Sequence, residues 1–244
     1  MSQVKPYRDV ATGKKEQVTE MFDNISENYD NLNRVITFGM DVGWRKNVFE
    51  MIKAQKPQSI LDIATGTGDM AIMYAKTNAE KIIGLDISPG MLEVAENKTK
   101  ELNLEEVIDY QLGDAENLPF DTQSFDAVTV TYGIRNFEDL ERGLFEILRV
   151  LNPGGTLVVL ETSIPENFFL RQGYMIHTKV LLPIIGRMFS TDKKAYSYLS
   201  ESARDFPYGK RLKAIFEKVG FKSVEVIPQM GGVSTIYKAK KSVS

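Results

Sequence analysis

Two hydrophobic rhythms alternate along this chain. Between residues 60 and 161, short apolar runs are separated by stretches whose apolar residues recur every three or four positions. The runs predict strands at 60–64, 81–86, 107–112, 125–131 and 156–161, the last leaving a turn at Pro153-Gly154-Gly155. The stretches between predict helices over 70–76, through about residue 102, and over about 138–151. Strands separated by helices imply an α/β fold with a mostly parallel sheet and right-handed crossovers. Ahead of this core, Val18, Met21, Phe22 and Ile25 recur at helical spacing and predict an amphipathic helix over 14–26. After Glu161 the rhythm breaks, and residues 164–206 are helical in type and rich in Phe, Leu, Ile and Met. The end restores it with a helix near 210–219, Gly220 as its stop, and strands near 223–227 and 234–239. The expected organisation is one domain over 1–244. Residues 1–13 form a flexible lead, 14–57 a helical lid region, and 164–206 a helical insertion on the acceptor side.

Composition narrows the classes without choosing one. The hydrophobic (43%) and charged (26%) fractions are those of a soluble globular protein. A net charge of −3 offers no electrostatic case for nucleic acid. The chain has no cysteine, which excludes disulfides, thiolate nucleophiles and Cys-based zinc sites, and with one histidine no metal cluster is expected. The first residues lack the apolar core of a signal peptide, and no window reaches the roughly 18 apolar residues of a membrane span. The expected setting is the cytoplasm.

Candidate chemistry begins at Ile60-Leu61-Asp62-Ile63-Ala64-Thr65-Gly66-Thr67-Gly68-Asp69, an apolar run, a glycine loop and a helix start. Glycines there let backbone approach a ligand closely. Gly66-Thr67-Gly68-Asp69-Met70-Ala71 also fits a dinucleotide fingerprint, with Asp86 about 20 residues on. Both cofactor classes carry a ribose that Asp86 could hold. The flanking carboxylates of Asp62 and Asp69 repel a pyrophosphate and favour a cationic ligand such as S-adenosylmethionine. After the third strand, Asp114-Ala115 offers an acceptor for an adenine amino group and room for the ring; capping a turn is the alternative use of Asp114.

The glycine loop, Asp86, Asp114-Ala115 and Arg149-Val150-Leu151-Asn152-Pro153-Gly154-Gly155 together resemble a class I S-adenosylmethionine-dependent methyltransferase. Tyr29-Asp30-Asn31-Leu32-Asn33 running to Gly39 and Trp44, Tyr132-Gly133-Ile134-Arg135-Asn136, and Leu160-Glu161-Thr162-Ser163 narrow the likeness. With them the chain resembles the ubiquinone/menaquinone biosynthesis C-methyltransferases from about residue 15 to 237. The resemblance implies a Rossmann-like seven-stranded sheet with an antiparallel last strand and helices on both faces. It implies methyl transfer to a ring carbon of a prenylated quinol, demethylmenaquinol in the first instance. A polyprenyl methoxy-benzoquinol, a small molecule of another pathway, or ligand binding without chemistry are the alternatives. It implies cofactor contacts from Gly66, Thr67, Asp86, Asp114, Ala115 and Thr131. Two positions depart from the family pattern: Asp41 stands where it often has His, and Asn152 where it usually has Lys.

Methylating an aromatic carbon requires ionising the neighbouring ring hydroxyl. Arg135 is the expected catalytic residue, stabilising that phenolate or orienting a water, since arginine stays protonated; a salt bridge to Glu138 or Asp139 is the structural alternative. Asn136 and His177, the only histidine, are the expected substrate-binding residues, and Glu161 either binds substrate or anchors the loop after it. In 164–194, Arg171, Lys179, Arg187, Lys193 and Lys194 outnumber Glu166 and Asp192. A basic, apolar element suits peripheral contact with the inner face of an anionic membrane; cover for the sheet edge or a homodimer contact is the alternative.

Overall fold

The computed structural model describes residues 4–7, 10–176 and 193–243. Its strands are β1 (Ser59–Ile63), β2 (Lys81–Asp86), β3 (Ile108–Leu112), β4 (Phe125–Thr131), β5 (Leu151–Thr162), β6 (Lys222–Gln229) and β7 (Ser234–Lys240). They form one sheet in the order β3-β2-β1-β4-β5-β7-β6. The pairs among β1 to β5 are parallel, and β7 runs antiparallel to both β5 and β6. The seven-stranded sheet with its reversed last strand therefore stands as expected. One local feature differs from the sequence reading. Pro153-Gly154-Gly155 does not precede the fifth strand but lies inside it, because Leu151 already pairs with Phe125 before the register shifts to Ala127↔Thr156. Gly154, at φ +77°, absorbs the bend.

Nine helices are described: α1 (Lys14–Ile25), α2 (Tyr29–Ile36), α3 (Met40–Lys53), α4 (Asp69–Tyr74), α5 (Pro89–Glu101), α6 (Leu140–Val150), α7 (Phe168–Ile176), α8 (Lys193–Asp205) and α9 (Lys210–Val219). The central strands are buried on both faces, as parallel strands between helices must be. On one face, Leu144, Ile147 and Val150 of α6 and Leu212 and Phe216 of α9 pack on Leu61, Val128 and Leu157. On the other, Trp44, Val48 and Ile52 of α3 and Met70 and Tyr74 of α4 pack on Ile60, Ile82 and Val158. Ser88 caps α5, with Pro89 at its first position, and Asp139 caps α6 by accepting from Arg142 N.

A third, smaller cluster places the N-terminal region. Val18, Met21, Phe22 and Ile25 of α1 meet Met91 of α5 and Tyr198 of α8. The lead is tied to it where it is described: Tyr7 N donates to Gln17 Oε1 (2.8 Å), and Val4 and Tyr7 pack on the cluster.

Candidate functional site

The chain leaves β1 and β4 sharply. Ala64 (φ +53°) and Tyr132 (φ +57°), just past these strands, take the left-handed conformation that a side chain disfavours. Such strain, of order 1–3 kcal/mol each, gathers where a site needs an abrupt exit. A Cβ on Gly133 would collide with that of Ala64, so the two exits nest only because position 133 has none. β1 pairs with β2 on one side and β4 on the other, so this crevice is the switch point where open α/β sheets bind ligands.

A tight cleft of about 80 Å³ opens there. Ile63, Ala64 and Gly66 line it from the end of β1 and the loop after it, Leu85 and Asp86 from β2, Gly113, Asp114 and Ala115 from the turn after β3, and Thr131 from β4. Lys15, Val18 and Phe22 of α1 close it from above. The Asp86 carboxylate accepts from Gly66 N (2.8 Å) and Ser88 N (2.9 Å), and burial raises its pKa against those hydrogen bonds. Asp114 accepts from Glu116 N (2.9 Å) and pairs with Lys15 of α1. Gly113 admits no side chain, since a Cβ would sit 2.7 Å from Leu85. Thr131 Oγ1 is buried and has no hydrogen-bond partner. Carboxylates that can accept from a diol and an exocyclic amine, close glycine backbone and an orphaned hydroxyl fit an adenosine-bearing ligand.

Asp62 and Asp69 flank the loop in sequence but do not face this cleft. Asp62 is buried beneath it, accepting from Thr65 Oγ1 (2.7 Å) and Thr129 Oγ1 (2.6 Å), and burial pushes its pKa up to about 6. Asp69 pairs with Lys98, which also holds Asp30 at 2.9 Å. Their charges thus hold protein together, and neither carboxylate faces the cleft to favour a cationic ligand there. Thr67 likewise points aside, donating to Asp30 Oδ1 at 2.5 Å.

Tyr29 and Tyr132 line the cleft and also a second, wider cavity of about 450 Å³. Its other walls come from α2, α3, α7 and α8, with Ile36, Phe38, Trp44, Phe169, Leu170 and Leu199 among mostly apolar residues. Among the polar ones are three charged side chains: Asp41, Arg45 and Arg135. Arg135 is buried and donates from Nη1 to Glu161 Oε1 and to Tyr132 O, both at 2.7 Å. Burial alone would lower its pKa, but Glu161 together with Tyr29 and Tyr198 holds it above the ordinary value, so the guanidinium stays charged. Its Nε has no partner. The ion pair of Arg135 is therefore with Glu161, not with Glu138 or Asp139. Glu161, fully buried, also accepts from Thr162 N (2.7 Å) and Arg135 N (3.4 Å), and so anchors the arginine without lining either space. Lys14 of α1 donates to the carbonyls of Arg135 (3.0 Å) and Phe137 (2.6 Å), clamping the same turn; burial pushes its pKa down to about 8.

Of the sequence-predicted residues, Gly66, Asp86, Asp114, Ala115 and Thr131 gather around the cleft, and Arg135 faces the cavity. Asn136 lines the cleft instead and accepts from Tyr198 Oη at 3.1 Å. His177 lies outside the described residues. Tyr29 and Tyr132 belong to the motifs of the family resemblance and Arg45 lies one residue past them, but the sequence alone assigns none of the three a role. Their signal was position, since each sits beside a turn or one helical turn from Asp41.

The sheet order and the cleft at its switch point define a class I methyltransferase fold. A SAM-dependent methyltransferase from Thermotoga maritima shares it, with a TM-score of 0.60 at 19% identity, covering 91% of this chain and 99% of that one. The model of the ubiE/COQ5 methyltransferase family matches residues 10–241, and the chain belongs to that family. A relative from Bacteroides fragilis, a demethylmenaquinone methyltransferase by name, is 43% identical over 98% of this chain and 97% of its own. One of the same name from Staphylococcus carnosus is 42% identical over 94% and 96%.

Proposed function

We propose that this protein transfers a methyl group from S-adenosylmethionine to a ring carbon of demethylmenaquinol, giving menaquinol. The observation that carries the reading is the meeting of two spaces at Tyr29 and Tyr132: a cleft fitted to adenosine and an apolar cavity lined by the buried, charged Arg135. Near full-length likeness to enzymes of that name supports the choice of ring.

Asp86 would hold the ribose diol, and Asp114 with Ala115 the adenine, once Lys15 yields its place on Asp114. Thr131 offers its free hydroxyl beside them. When bound, S-adenosylmethionine supplies a methyl on a positive sulfur, which keeps the electron pair of the broken S–C bond. Arg135, held rigid by Glu161 and Tyr132 O, would donate a guanidinium N–H to the ionised hydroxyl beside the accepting ring carbon. That charge pushes the ring electron pair onto the methyl carbon as the new C–C bond forms. The ring carbon then loses its proton to water, restoring the aromatic ring. Apolar walls and α1 exclude other water and keep the reacting atoms aligned.

Exposed apolar side chains edge the cavity, with Phe38 67%, Phe169 82% and Met230 56% exposed, and Phe168 and Ile176 continue the strip on α7. A rim of this kind suits contact with the bilayer in which a prenyl tail resides. No helix among the described residues is long and apolar enough to cross it. The test is incubation with methyl-labelled S-adenosylmethionine and reduced demethylmenaquinone, with a prenylated benzoquinol in parallel. Label is expected in the naphthoquinol. Label in neither quinol sinks the reading, and label in the benzoquinol alone moves it to the other ring.

A further inference from the structure

Arg45 is a buried charge that the methyl transfer above leaves without a task. It sits on α3 one turn beyond Asp41, and its side chain is 13% exposed. Nε lies 3.4 Å from Asp41 Oδ2 but makes no hydrogen bond, and among the described residues none reaches the rest of the guanidinium. Its direction is nonetheless fixed. Cζ lies 5.9 Å from the centre of the Tyr132 ring, and Asp41 is itself held by Thr37 Oγ1 at 2.7 Å. Burial opposes its charge, but the carboxylates of Asp69 and Asp41 are among the groups that hold its pKa above the ordinary value. Leaving a guanidinium short of acceptors in such a place is costly, and a ligand oxygen in the cavity would supply one.

Arg135 shows the same pattern at the same wall: its Nη1 is fixed on Tyr132 O while Nε is orphaned. Two fixed guanidiniums with unused donors, both touching Tyr132 and both lining one apolar cavity, call for an acceptor with two oxygens. A flat aromatic ring with para oxygens offers one to each. We infer that Arg45 binds the second ring oxygen of the acceptor, the one beside the prenyl-bearing carbon, while Arg135 takes the oxygen beside the accepting carbon. Arg45 thereby sets which of the two open ways the ring lies, and it selects para-dioxygenated rings over monohydroxylated ones. This rests on the aromatic-acceptor reading of the same cavity.

A two-by-two comparison tests it. Wild type and Arg45→Gln are each assayed with a geranylated naphthalene diol bearing para hydroxyls. Each is then assayed with the geranylated naphthol that keeps only the hydroxyl beside the accepting carbon. Thermal melting and S-adenosylmethionine binding check folding, and Arg45→Lys takes the variant's place if Arg45→Gln does not fold. In wild type, loss of the far hydroxyl should lower kcat/KM about tenfold or more, the scale of one charge-assisted hydrogen bond. In the variant the same loss should cost under about twofold, because the partner is already gone. Losses that multiply in full would assign Arg45 a structural role and overturn the inference while leaving methyl transfer intact. No transfer by wild type to either acceptor overturns the methyl-transfer reading, and this inference with it.

Discussion

The cleft and the cavity meet at two tyrosines but are built on opposite plans. The cleft is made by strand ends and loops, and its carboxylates are already satisfied: Asp86 by two backbone N–H groups, Asp114 by Lys15 and Glu116 N. The cavity is walled mostly by helices, and its two arginines, Arg45 on α3 and Arg135 in the turn after β4, each keep a buried donor without a partner. Among the described residues the cleft leaves the neutral hydroxyl of Thr131 unpartnered, whereas the cavity leaves a donor on each of two charged groups, the costlier omission. Cofactor affinity is therefore expected to rest on Asp86 and Asp114 at the strand ends, and turnover on Arg135 in the turn after β4.

Substitutions on the two sides should separate cleanly. Arg135→Ala is expected to lower turnover by about 10²- to 10³-fold, the scale of losing one oxyanion donor. Its affinity for S-adenosylmethionine should stay within about twofold, read by calorimetry beside single-turnover kinetics. Asp86→Ala should do the reverse, weakening cofactor binding about tenfold or more by loss of charged hydrogen bonds. If Arg135→Ala weakened cofactor binding as strongly as it slowed turnover, the two spaces would be one site energetically.

That division also explains what the sequence made legible. All seven strands could be placed from the apolar runs, most plainly β1, β2 and β4, because buried parallel strands read as continuous apolar stretches. The turn at Pro153-Gly154-Gly155 was misplaced because a strand can continue through a bulge that local chemistry marks as an end. That Asp86 and Asp114 face the cleft was readable, since one ends β2 and the other lies two residues past β3. Asp62 and Asp69 were not, since which way a carboxylate turns depends on Thr65, Thr129 and Lys98, one of them nearly 70 positions from Asp62. The partner of Arg135 was hidden for the same reason: Glu161 reaches it across the sheet, whereas Glu138 and Asp139 were merely near in the chain.

Stability offers a second, somewhat smaller contrast, within the sheet half alone. Asp62 is buried with two hydroxyl donors, and its pKa stands at about 6 against the ordinary 3.8. The folded protein thus binds the extra proton between about pH 4 and 6. The stability it contributes is complete below pH 4 and is lost as pH rises through 6. The shift corresponds to about 3 kcal/mol. Urea unfolding at pH 4 and pH 7 should therefore show wild type losing about that much relative to Asp62→Asn, which has nothing to titrate. A difference independent of pH would mean that Thr65 and Thr129 keep the carboxylate ionised throughout.

The smallest expected effect lies at the outer edge of the cavity. Phe169 is 82% exposed and stacks edge-on against Phe168, ring centres 5.7 Å apart, so it adds little to the core. Phe169→Ser should leave folding stability within about 0.5 kcal/mol, as surface changes do. If the rim receives the prenyl tail, the phenyl ring buries apolar surface only when a tail is present. Half a phenylalanine's worth is about 1 kcal/mol, or about fivefold in KM. That increase should appear with a geranylated acceptor and vanish with one that carries no prenyl chain. An equal rise for both acceptors would place Phe169 at the ring rather than the tail, and the apolar strip on α7 would then belong to the chemistry side of the partition.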